Sequence, residues 1–125
     1  MISVGNVKRG VPPGYIGIYI GRAGYGYEGS PLANPFKMNK EAERAAVIER
    51  YRAYIEKKIE ERDQAVLDEL REIEHAHRKG EKVVLLCWCA PRACHGDVVK
   101  ELIEADVNGD LLADIDCDPP ILVGV

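Results

Sequence analysis

The sequence predicts a small single α/β domain spanning residues 1–125, with a central, mostly parallel sheet and helices packed on it in a Rossmann-like arrangement. Short runs of β-branched and aromatic residues alternate with longer segments whose apolar residues recur every three or four positions. Such an order of strands and helices favours a sheet covered by helices. At 125 residues, with 46% hydrophobic and 30% charged residues, the chain has the size and composition of one globular domain.

Two short strands are predicted near the N-terminus. Residues 2–8 alternate loosely between apolar and polar side chains, and residues 15–20 read Tyr-Ile-Gly-Ile-Tyr-Ile. Aromatic and β-branched side chains are typical of strands. The glycines and prolines of residues 10–14 predict a turn that joins the two strands.

Two helices are predicted in the middle of the chain. The first begins at Asn39, a favourable N-cap residue, and one of its faces carries apolar residues at helical spacing: Ala45, Ile48, Tyr51 (or Arg52), Ile55 and Ile59. The second begins at Asp63 and ends at Gly80. One of its faces carries Val66, Leu70, Ile73 and His77.

A third strand and a third helix follow. Residues 83–89 form an apolar, β-prone run, and residues 97–105 carry apolar side chains at helical spacing, so residues 90–95 are a strand-to-helix turn. Residues 106–125 are interpreted as a C-terminal extension. Within it, the Pro119-Pro120 pair before Ile121-Leu122-Val123 predicts a turn and an edge strand in residues 110–125.

Two loops are candidates for one binding pocket. The glycine-rich loop of residues 21–36 and the turn of residues 90–95 each follow a predicted strand, and ligands of open α/β sheets bind where such loops collect. Arg22 offers bidentate hydrogen bonds to a phosphate or a carboxylate. Tyr25 and Tyr27 present flat faces for stacking on a base, and Asn34 suits a turn or a hydrogen bond to a ribose or phosphate. Each of these side chains also has a structural alternative, such as packing within the loop.

The start of the third helix is the candidate centre for chemistry. Free N–H groups at a helix N-terminus favour an anion, so the segment from Cys94 through Gly96 to Asp97 could hold a phosphate, with Arg92 nearby. A cysteine in that position beside His95 can have its pKa lowered, which makes Cys94 a candidate nucleophile and His95 a candidate acid or base. The alternative is passive binding, with Cys94 packed in the interior.

Zinc is a further alternative. Cys87, Cys89, Cys94 and His95 are a possible zinc ligand set, and a zinc-stabilised interaction module would use them. The spacing argues against it, because structural zinc sites usually combine two ligand pairs from separate parts of the chain. No cofactor is therefore expected.

Composition excludes several classes of partner. The net charge of −4 argues against general nucleic-acid binding, and no apolar run is long enough to cross a bilayer. We expect a cytoplasmic protein, because clustered cysteines do not resemble a secreted disulfide framework. A homo-oligomer is a further alternative, if the helical region exposes apolar stripes at Ile55 and Ile59.

Several motifs resemble a known family. Four segments are similar to the domain of unknown function 4326 family of bacteriophages and bacteria. They are Tyr19-Ile20-Gly21-Arg22, the segment from Gly29 and Ser30 to Asn34-Pro35-Phe36, the stretch from Arg44 to Arg52, and Cys87-Trp88-Cys89-Ala90-Pro91-Arg92-Ala93-Cys94-His95-Gly96-Asp97. The resemblance covers about residues 2–105. Ala33, where the family often has glycine, and the insertion of residues 23–28 depart from it.

The resemblance implies an α/β domain with a site built from Arg22, Asn34, Cys94 and His95. It also implies a setting in phage or bacterial nucleotide metabolism, DNA modification or nucleotide signalling. The sequence thus predicts a pocket for a phosphorylated, nucleotide-like small molecule, which the protein acts on or sequesters. A cysteine-dependent hydrolase or transferase of nucleotides or sugar phosphates, using Cys94 and His95, is the enzymatic alternative.

Overall fold

The computed structural model describes residues 1–90 and 92–106 and has a small α/β fold. Within these residues it contains three strands and three helices. In chain order they are β1 (Ile2–Asn6), β2 (Tyr15–Tyr19), α1 (Arg44–Glu60), α2 (Gln64–Arg78), β3 (Lys82–Cys87) and α3 (His95–Ala105). The predicted α/β class and the predicted order of elements are confirmed. The turn and edge strand predicted in residues 110–125 lie outside the described residues.

The sheet has the strand order β1-β3-β2, and both outer strands run parallel to β3. Ile2 and Ile16 both pair with Val83, which fixes the register on the two sides. β1 and β2 are therefore not neighbours, although only residues 7–14 join them. Since this short connection must return to the opposite edge of the sheet, it runs across one sheet face and covers the middle of β3.

All three helices pack on the other face of the sheet. The main core combines that face with the apolar sides of α1, α2 and α3, and its fully buried members include Ile20, Tyr51, Ile55, Leu70, Ile73, Leu85, Val98 and Ile103. The face crossed by residues 7–14 carries a smaller cluster of Val7, Val84 and Leu86, with Tyr15 and Tyr19 packed against it. The fold is thus two layers with one large core.

The predicted ends of α2 are confirmed. The Asp63 carboxylate accepts the N–H of Val66 at 3.2 Å, as an N-cap does, and this bond lowers the pKa of Asp63. Gly80 follows the helix with a φ of 83°, the left-handed conformation that favours glycine.

The predicted cap of α1 is wrong. A 3₁₀ turn, Glu41–Glu43, precedes α1, so Asn39 lies outside the helix. The backbone N–H of Asn39 instead donates to the Glu43 carboxylate at 3.0 Å, and the N–H of Lys40 donates to the same oxygen at 3.3 Å. A carboxylate that reaches back to the preceding N–H groups replaces the asparagine cap.

The expected exposure of a helical stripe at Ile55 and Ile59 is wrong, whereas the homo-oligomer itself stays a prediction. Ile55 is fully buried and Ile59 packs against the main core. Their burial follows from the position of α1 beside α2 and α3. No helix within the described residues has the length and apolar composition needed to cross a membrane.

Candidate functional site

The candidate site lies at the edge of the sheet where β2 and β3 end. Because the two strands are parallel, the loop of residues 21–36 and the turn after β3 leave the sheet at the same edge. With α1 they enclose an open cleft of about 300 Å³. Its polar lining includes Arg22, Asn34, Arg44, Cys89, Cys94 and His95. Its apolar lining includes Phe36, Met38, Val47, Ile48 and Trp88.

The loop of residues 21–36 is held by hydrogen bonds near its middle. The Ser30 N–H donates to the Gly21 carbonyl at 3.0 Å, and the Ser30 hydroxyl accepts the N–H of Leu32 at 3.0 Å. Leu32 is fully buried, and its carbonyl accepts the buried hydroxyl of Tyr51 at 2.7 Å. Ser30 thus shapes the loop, and α1 anchors it.

Arg22 braces the far end of the same loop. Its Nε donates to the Asn34 carbonyl at 2.7 Å and its Nη2 to the Phe36 carbonyl at 2.9 Å. The side-chain oxygen of Asn34 accepts the Phe36 N–H at 2.9 Å, a hydrogen bond that asparagine makes in turns. A guanidinium has five N–H donors, so these two bonds leave Arg22 with donors for a ligand.

Arg44 is a lining residue that the sequence reasoning did not single out. Its guanidinium pairs with Glu41, donates to the Ala93 carbonyl at 2.6 Å and contacts the Cys89 thiol. The bond to Glu41 raises the pKa of Arg44. A signal was present, because Arg44 precedes Val47 and Ile48 by three and four positions and therefore shares their side of the helix.

Four aromatic residues, Tyr19, Tyr25, Tyr27 and Trp88, form what we call the aromatic cluster beside the cleft. The rings of Tyr19 and Tyr27 stack with centroids 4.5 Å apart, and Trp88 lies 5.4 Å from Tyr25 and 6.1 Å from Tyr27. The Trp88 indole N–H donates to the Tyr19 hydroxyl at 2.8 Å. Aromatic rings from β2, the loop and the β3 turn thus meet at one place.

Tyr25 stands at the tip of a tight hairpin. Gly24 and Tyr27 exchange two backbone hydrogen bonds, of 3.1 and 2.9 Å, and φ is 50° at Tyr25 and 86° at Gly26. Two successive positive φ values define a type I′ turn, which is uncommon for a tyrosine. The turn leaves the Tyr25 side chain 91% exposed.

The turn after β3 is supported from β1. The Asn6 side-chain amide donates to the Trp88 carbonyl at 3.2 Å and to the Ala90 carbonyl at 2.9 Å. These bonds fix the chain just beyond Cys87, where β3 ends, and so position Trp88 at the mouth of the cleft. Nothing in the local sequence around Asn6 indicated this role.

Cys94 is the N-cap of α3, which begins at His95, two residues earlier than predicted. Its sulfur accepts the N–H of Gly96 at 3.3 Å, and its own N–H donates to the Asp97 carboxylate at 3.0 Å. Gly96 is buried against Val4 and Ile20, where a Cβ would lie only 3.0 to 3.1 Å from their side chains. Asp97 therefore caps the helix, and Gly96 allows it to pack closely against Val4 and Ile20.

Cys87 and Cys94 form a buried pair with their sulfurs 3.1 Å apart. The bond from the Cys94 thiol lowers the pKa of Cys87, assisted by the N–H groups of Ala90 and Cys89. The same bond and burial raise the pKa of Cys94. A lowered pKa was expected for Cys94. The structure places it on Cys87 instead, because Cys87 accepts more hydrogen bonds.

His95 lies at the cleft but is 7% exposed. Its Nε2 is 2.7 Å from the Ile20 carbonyl, which can only accept, so Nε2 carries the hydrogen and Nδ1 is an acceptor. Burial lowers the pKa of His95, which keeps the ring neutral at pH 7. Tyr51 packs edge-on against the ring. The catalytic roles of Cys94 and His95 stay predictions.

The four candidate zinc ligands face different partners. Cys87 and Cys94 face each other, Cys89 contacts Arg44, and the His95 ring bonds to Ile20. No group of three or more His, Cys, Asp or Glu side chains within residues 1–90 and 92–106 is placed to hold a metal ion. Arg92 is exposed and pairs with Glu41 at 3.7 Å.

One family matches the chain. The model of the family described as Domain of unknown function (DUF4326) matches residues 6–105, which contain the loop, the aromatic cluster, the cysteines of the cleft and α3. No curated protein and no solved structure matches the chain.

Proposed function

The chain belongs to the DUF4326 family, and we propose that this domain binds a phosphorylated, nucleotide-like small molecule in the cleft between the loop of residues 21–36 and the turn after β3. The proposal includes sequestration of a nucleotide or signal molecule by a phage protein in the bacterial cytoplasm. The observation that carries it is a cleft that the described residues line with two arginines and no carboxylate, with the aromatic cluster at its mouth.

The charges of the cleft support binding of an anion. Glu41 offsets much of the charge of Arg44. Arg22, within the described residues, donates to backbone carbonyls and to no carboxylate. Its charge is therefore available to a phosphate, which guanidinium groups bind with paired hydrogen bonds. Cys94 and His95 bring the N-terminus of α3 to the same cleft, where the helix dipole adds to the attraction.

The aromatic cluster supports binding of a flat ring. Trp88 lines the cleft and is 37% exposed, and the Tyr25 side chain lies beside it on a strained turn. A backbone conformation that tyrosine rarely adopts is kept where the surroundings or a function require it. Stacking of a base on an aromatic side chain contributes about 1–3 kcal/mol. A nucleotide combines such a ring with the anion that Arg22 favours.

Trp88 supplies the measurement that tests the proposal. It is the chain's single tryptophan, so its fluorescence reports on the cleft. Titration with a panel of nucleoside monophosphates, nucleoside diphosphates and ADP-ribose is expected to quench or shift the emission for at least one of them. Native mass spectrometry of freshly purified protein shows whether a compound of this class is already bound.

Arg22→Ala is expected to weaken that binding by about tenfold to a hundredfold, the loss of a charge-assisted hydrogen bond. Arg50→Ala is the matched control, because Arg50 is an exposed arginine of α1 away from the cleft. Melting curves of both variants separate lost binding from lost folding. The absence of any response to the panel, or equal affinity in wild type and folded Arg22→Ala, would overturn the proposal.

A further inference from the structure

Two thiols lie against each other at the floor of the cleft. The sulfurs of Cys87 and Cys94 are 3.1 Å apart, at the end of β3 and at the N-cap of α3. Cys87 is 1% exposed and Cys94 3%, so bulk solvent reaches neither freely. A disulfide has a sulfur–sulfur distance of about 2.05 Å, so a movement of about 1 Å would join them.

The cleft gives a small oxidant a route to one of the two sulfurs. Cys94 lines the cleft, whereas Cys87 lies behind it and is not a lining residue. Cys89 also lines the cleft, but it contacts Arg44 and not the pair. Cys94 is thus part of the cleft wall, and the Cys87 sulfur lies in contact with the Cys94 sulfur behind that wall, which is the arrangement of an attacking and a resolving thiol.

We propose that Cys87 and Cys94 are a redox-active dithiol, and that a hydroperoxide small enough to enter the cleft oxidises them to an intramolecular disulfide. The dithiol shares the cleft with the proposed nucleotide site, but its oxidation does not require that a nucleotide binds there.

The chemistry balances with hydrogen peroxide as the oxidant. Cys87, whose pKa is lowered, is the thiolate of the pair and takes the Cys94 proton across the 3.1 Å contact. The resulting Cys94 thiolate attacks one peroxide oxygen, the O–O bond breaks, and the departing hydroxide takes that proton back from Cys87 and leaves as water. Cys94 is then a sulfenic acid. The Cys87 thiolate attacks the Cys94 sulfur, the S–O bond breaks, and the departing hydroxide takes a proton from solvent as a second water. The dithiol loses two electrons and the peroxide gains them.

The described part of the turn between the two cysteines lies at the surface. The Arg92 N–H donates to the Cys89 carbonyl at 3.0 Å, and Arg92 and Ala93 are exposed. The disulfide would tie the end of β3 to the start of α3 and would replace the thiol that now accepts the Gly96 N–H at 3.3 Å. Oxidation therefore changes the cleft wall itself.

Peptide mapping of the full chain tests the proposal. The protein is treated with hydrogen peroxide, its remaining thiols are alkylated, and it is digested with trypsin. Cleavage at Lys82, Arg92 and Lys100 separates residues 83–92 from residues 93–100. The expected product is these two peptides joined by a disulfide, with the mass of the intact protein reduced by two hydrogens and restored by dithiothreitol.

Variants identify the sulfurs. The linked peptides are expected in Cys89→Ser, and their loss is expected in Cys87→Ser and in Cys94→Ser. Retention of the far-ultraviolet circular dichroism spectrum shows that each variant is folded. Cys87 and Cys89 share the peptide of residues 83–92, so the wild-type and Cys89→Ser maps together identify the pair if one of the other variants fails to fold. Loss of the link in Cys89→Ser would assign it to Cys89 and overturn the proposal. The proposal would also be overturned if all four cysteines of the peroxide-treated protein were alkylated, or if Cys94 were oxidised to sulfinic acid without a disulfide link.

Discussion

His95 is the buried imidazole of the cleft, and its burial couples the stability of the fold to pH. The folded protein lowers the pKa of His95 through burial, whereas the unfolded chain has the ordinary histidine pKa of about 6.5. As the pH falls below that value, the unfolded chain binds a proton that the folded protein does not. The free energy of unfolding therefore falls with pH in this window.

We predict that His95→Gln makes this acid loss of stability shallower, because glutamine keeps a donor for the Ile20 carbonyl but does not titrate. The measurement is urea unfolding at a series of pH values below about 6.5. His75→Gln is the control, since His75 is exposed on α2. Burial also lowers the pKa of His77, so His77 contributes to the slope that remains. An unchanged slope in His95→Gln would contradict the prediction.

At the scale of the elements, one hydrogen bond joins the functional loop to α1. The Tyr51 hydroxyl, fully buried, donates to the Leu32 carbonyl at 2.7 Å. Burial raises the pKa of Tyr51, so the phenol keeps its proton and stays a donor. The loop of residues 21–36 therefore depends on α1 for its position over the core.

We predict that Tyr51→Phe lowers the free energy of unfolding by about 1–2 kcal/mol, because the Leu32 carbonyl then stays buried without its partner. Urea unfolding followed by circular dichroism measures the loss. Tyr54→Phe is the matched control: Tyr54 is half-buried on the same helix, and its hydroxyl makes no hydrogen bond within the described residues. Equal stability of Tyr51→Phe and wild type would show that the bond does not hold the loop.

At the scale of the whole molecule, the sheet has one strongly covered face and one lightly covered face. Leu85 and Leu86 are neighbours on β3 and point to opposite faces. Leu85 is fully buried in the main core, to which all three helices contribute side chains. Leu86 belongs to the small cluster beneath residues 7–14 and is 7% exposed.

We predict that Leu85→Ala costs about 4 kcal/mol of unfolding free energy and Leu86→Ala about 2 kcal/mol, both within the range known for buried leucines. The cavity at Leu85 lies in the main core, where α2 and α3 pack against β3 and limit how far it can close. The short connection over Leu86 can relax into the space. Urea unfolding of the two variants under one condition gives the comparison. An equal or larger loss in Leu86→Ala would show that residues 7–14 form the more rigid layer.

Part of the site could be read from the sequence. Arg22, Asn34, Cys94 and His95 follow strands or open a helix, and local turn and helix signals place them at the cleft. Helical spacing places Arg44 on one side of α1 but does not give its contacts, and no local signal indicates Asn6 or the partner of Cys94. Arg44 reaches Ala93, and Asn6 reaches Ala90, across long stretches of chain.

The sequence by itself determined the α/β class, the order of the elements, the ends of α2 and the family. These properties depend on hydrophobic periodicity, turn residues and a motif, all of which are local. The tertiary structure alone decided that β3 lies between β1 and β2, that the helices share one sheet face, and that the Cys94 thiol meets Cys87. Those properties depend on which distant segments pack together, because strand pairing and burial are set by contacts that local patterns do not specify.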